Sequence, residues 1–159
     1  MTQIAITGHR GLPADTVSLV DKALRAVIAE RDRGALVGVS CIADGADSLF
    51  ARAVLDAGGS LVVVVPARQY RDSLPTEHYA VYDELVAAAV EVIQLDYEES
   101  NSEAHQAGSL RMLDAADELF AVWDGKPARG YGGTADVVAV ARERGMPATV
   151  VWPDGARRD

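Results

Sequence analysis

"ELFAVWDGKPARGYGGTADVVAVARERGMPATVVW" (118–152) is the stretch that decides the fold. The run "ELFAVW" (118–123) gives way to a loop crowded with glycine, then to a helical pattern that stops at Gly145 with Pro147 close behind, then to "ATVVW" (148–152). Both runs are apolar at nearly every position, as suits strands covered on two faces. Strand, helix and strand in that order form the unit of a parallel sheet.

Working outward, the same alternation fills the rest of the 159 residues. "QIAIT" (3–7), "ALVGVS" (35–40), "SLVVVVP" (60–66) and "EVIQL" (91–95) read as further strands. Between the first two, Val17, Val20, Leu24, Val27 and Ile28 fall on one helical face, and Gly34 follows as a stop. A second helix is expected from Asp44 to Ala57 before Gly58-Gly59, a third after Pro75, a fourth from Glu103 to Ala116, and the last from Gly133 to Gly145. The expected architecture is α/β: a single doubly wound, Rossmann-like domain over residues 1–153, with a mostly parallel sheet of about six strands and helices on both faces. Residues 154–159, "DGARRD", read as a loose tail.

Composition narrows the function classes. About half of the residues are apolar (49%) and a quarter charged (25%), the balance of a globular domain. The formal charge of −9, without a basic block, argues against nucleic acid as a partner, although a few arginines can still build a local anion site. Cys41 is the only cysteine, so neither an internal disulfide nor a cysteine-rich zinc site is expected. His9, His78 and His105 lack metal-ligand spacing, and no metal or required cofactor is expected. "MTQIAIT" reads as a strand rather than a secretory leader, and no apolar run is long enough for a bilayer. The cytoplasm is the expected compartment. "LVAAAVEV" (85–92) suits either core or a contact in a homodimer or higher homo-oligomer.

In a doubly wound sheet, ligands sit outside the carboxyl ends of the strands. Three exits carry the relevant residue types. In the last, Arg129, Gly130, Gly132 and Gly133 precede Thr134 at a helix start, where backbone amides and the helix dipole suit an anion. Thr134 can cap that helix, give its hydroxyl to the anion, or both; a plain tight turn is the alternative. In the first, "TGHRG" (7–11), Gly8 permits a sharp exit while His9 and Arg10 project from the sheet edge, Arg10 with the fork geometry for phosphate or carboxylate. In the second, "ADGADSLFARA" (43–53), Asp44 and Asp47 suit acid–base work or ribose binding. They equally suit a helix start, with Asp44 as cap and Asp47 in the first turn. Gly45 and Ala46 are small enough for a ligand to pack against. Asp124 and Gly125 follow the fifth strand, either to accept from sugar hydroxyls or to make a turn.

"ITGHR" (6–10), "GADSLFARAVLDAG" (45–58) leading into "LVVVVPA" (61–67), and "WDG" with "GYGGTADVVAVARERGMPATVVW" together resemble the SLOG superfamily. That Rossmann-like group includes the LOG phosphoribohydrolases, the DNA processing protein A family and several YpsA-like families. The resemblance implies a small, phosphorylated, nucleotide-like ligand held by Gly8, Arg10 and the Gly132-Gly133-Thr134 turn, for a sensor or carrier. LOG enzymes cleave the N-glycosidic bond of nucleoside monophosphates with a "PGGxGTxxE" motif. Gly133-Thr134 matches its "GT", but the glutamate position falls on Val137 and the LOG arginine on Gly108, with Asp136 and Arg111 displaced from them. The resemblance therefore carries binding further than catalysis. A hydrolase using His9, Asp44, Asp47 or Asp136 as base is the alternative, and a structural partner in a larger assembly is a third reading. DNA processing protein A relatives bind single-stranded DNA through a basic surface, which the acidic balance here argues against.

Overall fold

Runs of valine, isoleucine and leucine become strands where both faces are covered by helices, since each side chain then leaves water whichever way it points. The computed structural model describes residues 2–31, 35–127 and 133–158. Strands β1 (Thr2–Gly8), β2 (Leu36–Ser40), β3 (Ser60–Val65), β4 (Glu91–Gln94), β5 (Glu118–Val122) and β6 (Ala148–Val150) form one sheet, in the order β4-β3-β2-β1-β5-β6. Every pairing is parallel. Strand order therefore reverses beside β1, between β2 on one side and β5 on the other. That switch point is where the crossover helices splay apart and leave room for a ligand.

The helices are α1 (Ala14–Ala29), α2 (Ala46–Asp56), the short α3 (Tyr70–Ser73), α4 (Tyr79–Ala88), α5 (Ser102–Asp114) and α6 (Thr134–Glu143), with a 3-10 turn at Thr76–His78 before α4. Right-handed crossovers put α1, α2 and α4 on one face and α5 and α6 on the other, consistent with α2 touching both α1 and α4 while α5 touches α6. β1 serves both layers. Ile4 and Ile6 pack with Val20, Leu24 and Phe50 from α1 and α2, and Ala5 packs with Met112 and Val138 from α5 and α6. Only the edges depart from the buried pattern: in β4, Glu91, Val92 and Gln94 are exposed because nothing pairs beyond them among the described residues.

Two helix starts differ from the sequence reading. Asp44 does not cap α2; Gly45 does, at φ 90° and ψ −135°, a conformation open to glycine alone. The Asp44 carboxylate is drawn off instead by Arg10 Nε at 2.9 Å and the Gly11 N–H at 3.2 Å. Thr134 is the first residue of α6 and not its cap, a place taken by Gly133. The short helix α3 has no period long enough to read in advance, and Gly34, expected to stop α1, lies outside the described residues.

Phe50 ties the two layers of secondary structure together. Its ring meets Phe120 of β5 edge-on, with centroids 6.0 Å apart at 82°, and both rings are fully buried. Phe50→Ala should cost about 3–5 kcal/mol of unfolding free energy. Urea denaturation measures it, and a loss below about 1 kcal/mol would mean that this packing is not what joins α2 to the sheet.

Candidate functional site

The site begins with a close approach. A Cβ on Gly8, at the end of β1, would collide with the Ala46 Cβ and lie 2.9 Å from the Val122 Cβ, so only glycine lets β1, β5 and the start of α2 converge. Gly45 abuts the next residue of the same exit. A Cβ there would fall 2.6 Å from the His9 carbonyl oxygen, which accepts from the Ala46 N–H at 3.3 Å. Gly45 and Ala46 thus fix α2 behind the β1 exit and do not themselves face the ligand space.

Above this floor lies a cleft of about 430 Å³ at the carboxyl ends of β1, β2 and β3. Of the residues singled out from sequence, Gly8, His9, Arg10, Asp47, Gly133 and Thr134 line it. Arg129, Gly130 and Gly132 lie outside the described residues. Sequence reasoning did not place Cys41, Pro66, His105, Met112 and Arg158 here, and gave Tyr70, with Arg68 and Arg71, only as a weaker candidate for one wall; all but Arg68 and Arg71 line it. One signal was available: His105, Ser109 and Met112 recur at i, i+4 and i+7 along α5, so they share the face turned to the cleft. Asn101 starts that helix by accepting from the Ala104 N–H at 2.9 Å.

The β2 exit is held in a strained turn. Ile42 has φ 48°, an outlier for a β-branched residue, and is fully buried. Such a conformation persists only where its surroundings enforce it. Ser40 Oγ accepts from the Ile42 N–H at 2.9 Å, the His78 Nε2–H donates to the Ile42 carbonyl at 2.9 Å, and Ser48 Oγ donates to the Ala43 carbonyl at 2.6 Å. His78 is therefore a buried brace. The braced turn presents Cys41 and Ala43 to the cleft, and burial pushes the Cys41 thiol well above its usual range.

Asp47 enters the cleft from the first turn of α2. Loss of solvent raises its carboxyl from 3.8 to about 7, with the Ala43 N–H at 3.4 Å and the Arg10 charge opposing the shift and Asp44 adding to it. His105 moves the other way: burial and then the Arg10 charge lower it, so the ring is neutral at neutral pH. It meets Ser100 Oγ at 2.7 Å and stands edge-on to the buried Tyr70, at 5.8 Å. Across the cleft, the start of α6 has no side-chain cap, and among the described residues no protein acceptor takes the Thr134 or Ala135 N–H. Amides left without an acceptor at a helix start are the kind of donor that suits an anion.

Asp124 and Gly125 lie apart from this lining. The Asp124 carboxylate accepts from the Lys126 N–H at 3.0 Å and lies 3.4 Å from His9 Nε2, while Gly125 (φ 82°) makes the turn between. Burial of Asp124 works against ionisation, but the Lys126 N–H, His9 and Arg158 outweigh it and lower its carboxyl. His9 Nε2 also accepts from the Asp124 N–H at 3.1 Å, and its ring stands edge-on to Trp152 at 5.5 Å, so the histidine is built into the β1–β5 junction and does not project from it. Asp124 borders a second cavity of about 380 Å³ with Lys126, Trp152, Arg157 and Arg158. The residues that stand at the two LOG positions are structural: Val137 is buried in the core, and Gly108 packs against Pro66.

No protein-family profile matches the chain, and no curated protein matches it in sequence. Solved structures do match in fold. DNA processing protein A from Streptococcus pneumoniae superposes with a TM-score of 0.68 at 18% identity, over 94% of this chain and 50% of that one. DNA processing protein A from Helicobacter pylori, described for its single-stranded DNA binding mode, gives 0.66 at 17% identity, over 94% of this chain and 64% of that one. The molybdenum cofactor binding protein of the phototrophic bacterium Rippkaea orientalis gives 0.56 at 13% identity, over 94% and 75%. The chain thus spans from half to just under two thirds of the DNA processing protein A chains it matches. At these identities the likeness is one of fold, and the Rossmann-like architecture implied by the SLOG resemblance is borne out. One expectation is corrected. Acidic composition was read as arguing against nucleic acid, yet this fold occurs in a protein that binds single-stranded DNA. Net charge is a sum over the whole surface, whereas binding answers to the local arrangement.

The raised Asp47 carboxyl has a measurable consequence. An acid held at about 7 in the fold and near 3.8 in the unfolded chain favours the fold below pH 4 and loses that advantage as pH climbs through 7. Asp47→Asn should therefore stabilise the protein more at pH 8 than at pH 5, measured by urea denaturation, and an equal change at both would refute the shift.

Proposed function

We propose that the chain binds a nucleotide or nucleotide-derived phosphate in the cleft at the carboxyl ends of the strands, as a sensor or carrier. The observation that carries this reading is the charge of the lining. In a chain of net charge −9, the cleft is faced by the guanidinium groups of Arg10, held by Asp44 at 2.9 Å, and of Arg158, together with a carboxyl that is half protonated near neutrality and a neutral His105. The uncapped start of α6 adds amide donors to the same space. Pro66, Tyr70 and Met112 supply an apolar wall suited to a flat base or ring. The name of the Rippkaea orientalis protein, a molybdenum cofactor binding protein, supports a carrier role on this fold.

A second reading, a hydrolase of the LOG-like kind, is favoured by one observation: a carboxyl near pH 7 in a cleft is poised to exchange protons. Asp44 is less suited, being paired with Arg10. In that case Asp47 would deliver a proton to the departing base of a nucleoside monophosphate as the C–N bond breaks, and water would add to the sugar carbon and return its proton to the Asp47 carboxylate. Chromatography of free base released from AMP tests it. Asp47→Asn should then slow release by roughly a hundredfold or more, whereas no release by the wild type leaves binding alone.

Gly133→Asp separates binding from folding. Gly133 already has the extended backbone of a helix cap (φ −75°, ψ 177°), which aspartate adopts without strain, so the variant should hold or slightly raise stability. Its carboxylate would occupy the amides and repel an anion. Calorimetry with AMP, ADP and ADP-ribose should show at least one ligand for the wild type and a loss of roughly tenfold or more in the variant. No heat from any of them, or affinity unchanged in Gly133→Asp, would refute the proposal.

A further inference from the structure

The carboxyl-terminal segment is fastened to the body of the protein. After β6 the chain turns at Asp154-Gly155, where Gly155 takes φ 87° beside Leu19 of α1. The Arg157 N–H then donates to Oγ1 of the fully buried Thr16 at 3.0 Å, and its guanidinium reaches both carboxylate oxygens of Asp15 at 3.3 Å. Arg157 is thereby occupied with α1. The next residue is not: Arg158 is half-buried, and among the described residues no carboxylate lies within 4.0 Å of its side-chain nitrogens. Its charge acts on Asp124 across the second cavity, lowering that carboxyl, but among the described residues no carboxylate pairs directly with its donors.

Arg158 lines both cavities, the 430 Å³ cleft and the 380 Å³ space beside Asp124 and Lys126. The two spaces meet at this one side chain. The cleft offers Arg10 and the amides of α6 to an anion; the second space adds Lys126 and faces Trp152. We infer that the two cavities form one bipartite site for a ligand with two linked anionic groups, of the diphosphate class, with Arg158 clamping the second group. This rests on the anion-binding reading of the cleft and extends it. A single phosphate needs only the α6 amides and Arg10, whereas the planar fork of Arg158 can engage oxygens of a second phosphate across the junction.

Calorimetry with inorganic phosphate and with pyrophosphate, on the whole chain, tests the clamp. Arg158→Gln should weaken pyrophosphate by roughly tenfold or more while changing phosphate by about threefold at most. Arg144→Gln removes the same charge at the far end of α6, where Arg144 is paired with Asp114, and should change neither ligand. Equal losses for the two probes in Arg158→Gln would overturn the clamp and leave the anion site standing. Pyrophosphate binding unchanged in that variant would do the same. A wild type that binds neither probe would remove both readings together. Thermal melting of Arg158→Gln should match the wild type, which keeps any loss of binding separate from loss of fold.

Discussion

Everything at the ligand face depends on how closely three backbone segments approach at the end of β1. Gly8 touches Ala46 and Val122, and Gly45 lies against the His9 carbonyl in a conformation closed to other residues. Without that contact α2 would start farther out, and Asp47 would not sit half-buried beside the cleft. The same approach explains two carboxylates with opposite fates. Asp44, one residue outside the turn, reaches the Arg10 side chain and the Gly11 amide. Asp47, inside it, loses water without gaining a guanidinium and rises to about 7.

The same arrangement places two arginines, Arg10 and Arg158, at the cleft of an acidic protein. Most arginines are spent on surface pairs, such as Arg71 with Asp83, Arg52 with Glu84 and Arg144 with Asp114. Such exposed pairs contribute little to stability. They do cancel charge locally, so the field in the cleft is set by the few groups left facing it. Overall charge is thus a poor guide to what a Rossmann-like face binds.

Much of the fold was legible because parallel strands leave a strong mark. All six apolar runs became strands within a residue or two, and five helices followed from periodicity and glycine stops. The floor of the cleft was legible only in part: Gly8 reads as a sharp exit and Gly45 and Ala46 as room for a ligand, whereas the space at Gly8 and Gly45 is taken by β1, β5 and α2 meeting one another. The walls were not. Tyr70 sits on a helix of four residues, too short for any period, between Arg68 and Arg71. Cys41 and Ala43 face the cleft only because Ile42 takes a left-handed turn, and nothing in an isoleucine announces that. Arg158 was hidden for another reason: its position depends on Thr16 and Asp15, more than a hundred residues away in the chain.

The strained turn at Ile42 links the shape of the cleft to the charge within it. A conformation of that kind costs about 1–3 kcal/mol and is retained where a site gains from it. Here three side chains, Ser40, Ser48 and His78, hold it through hydrogen bonds to its own backbone and that of Ala43. A relaxed, extended path from β2 into α2 would turn Cys41 and Ala43 away from the cleft and move the Ala43 N–H off Asp47. Losing that amide would raise the Asp47 carboxyl further, because the N–H is the foremost group lowering it. The brace around Ile42 therefore acts on the cleft twice, through its shape and through the proton on Asp47. A buried network of this extent is more than a loop of such length needs merely to join a strand to a helix.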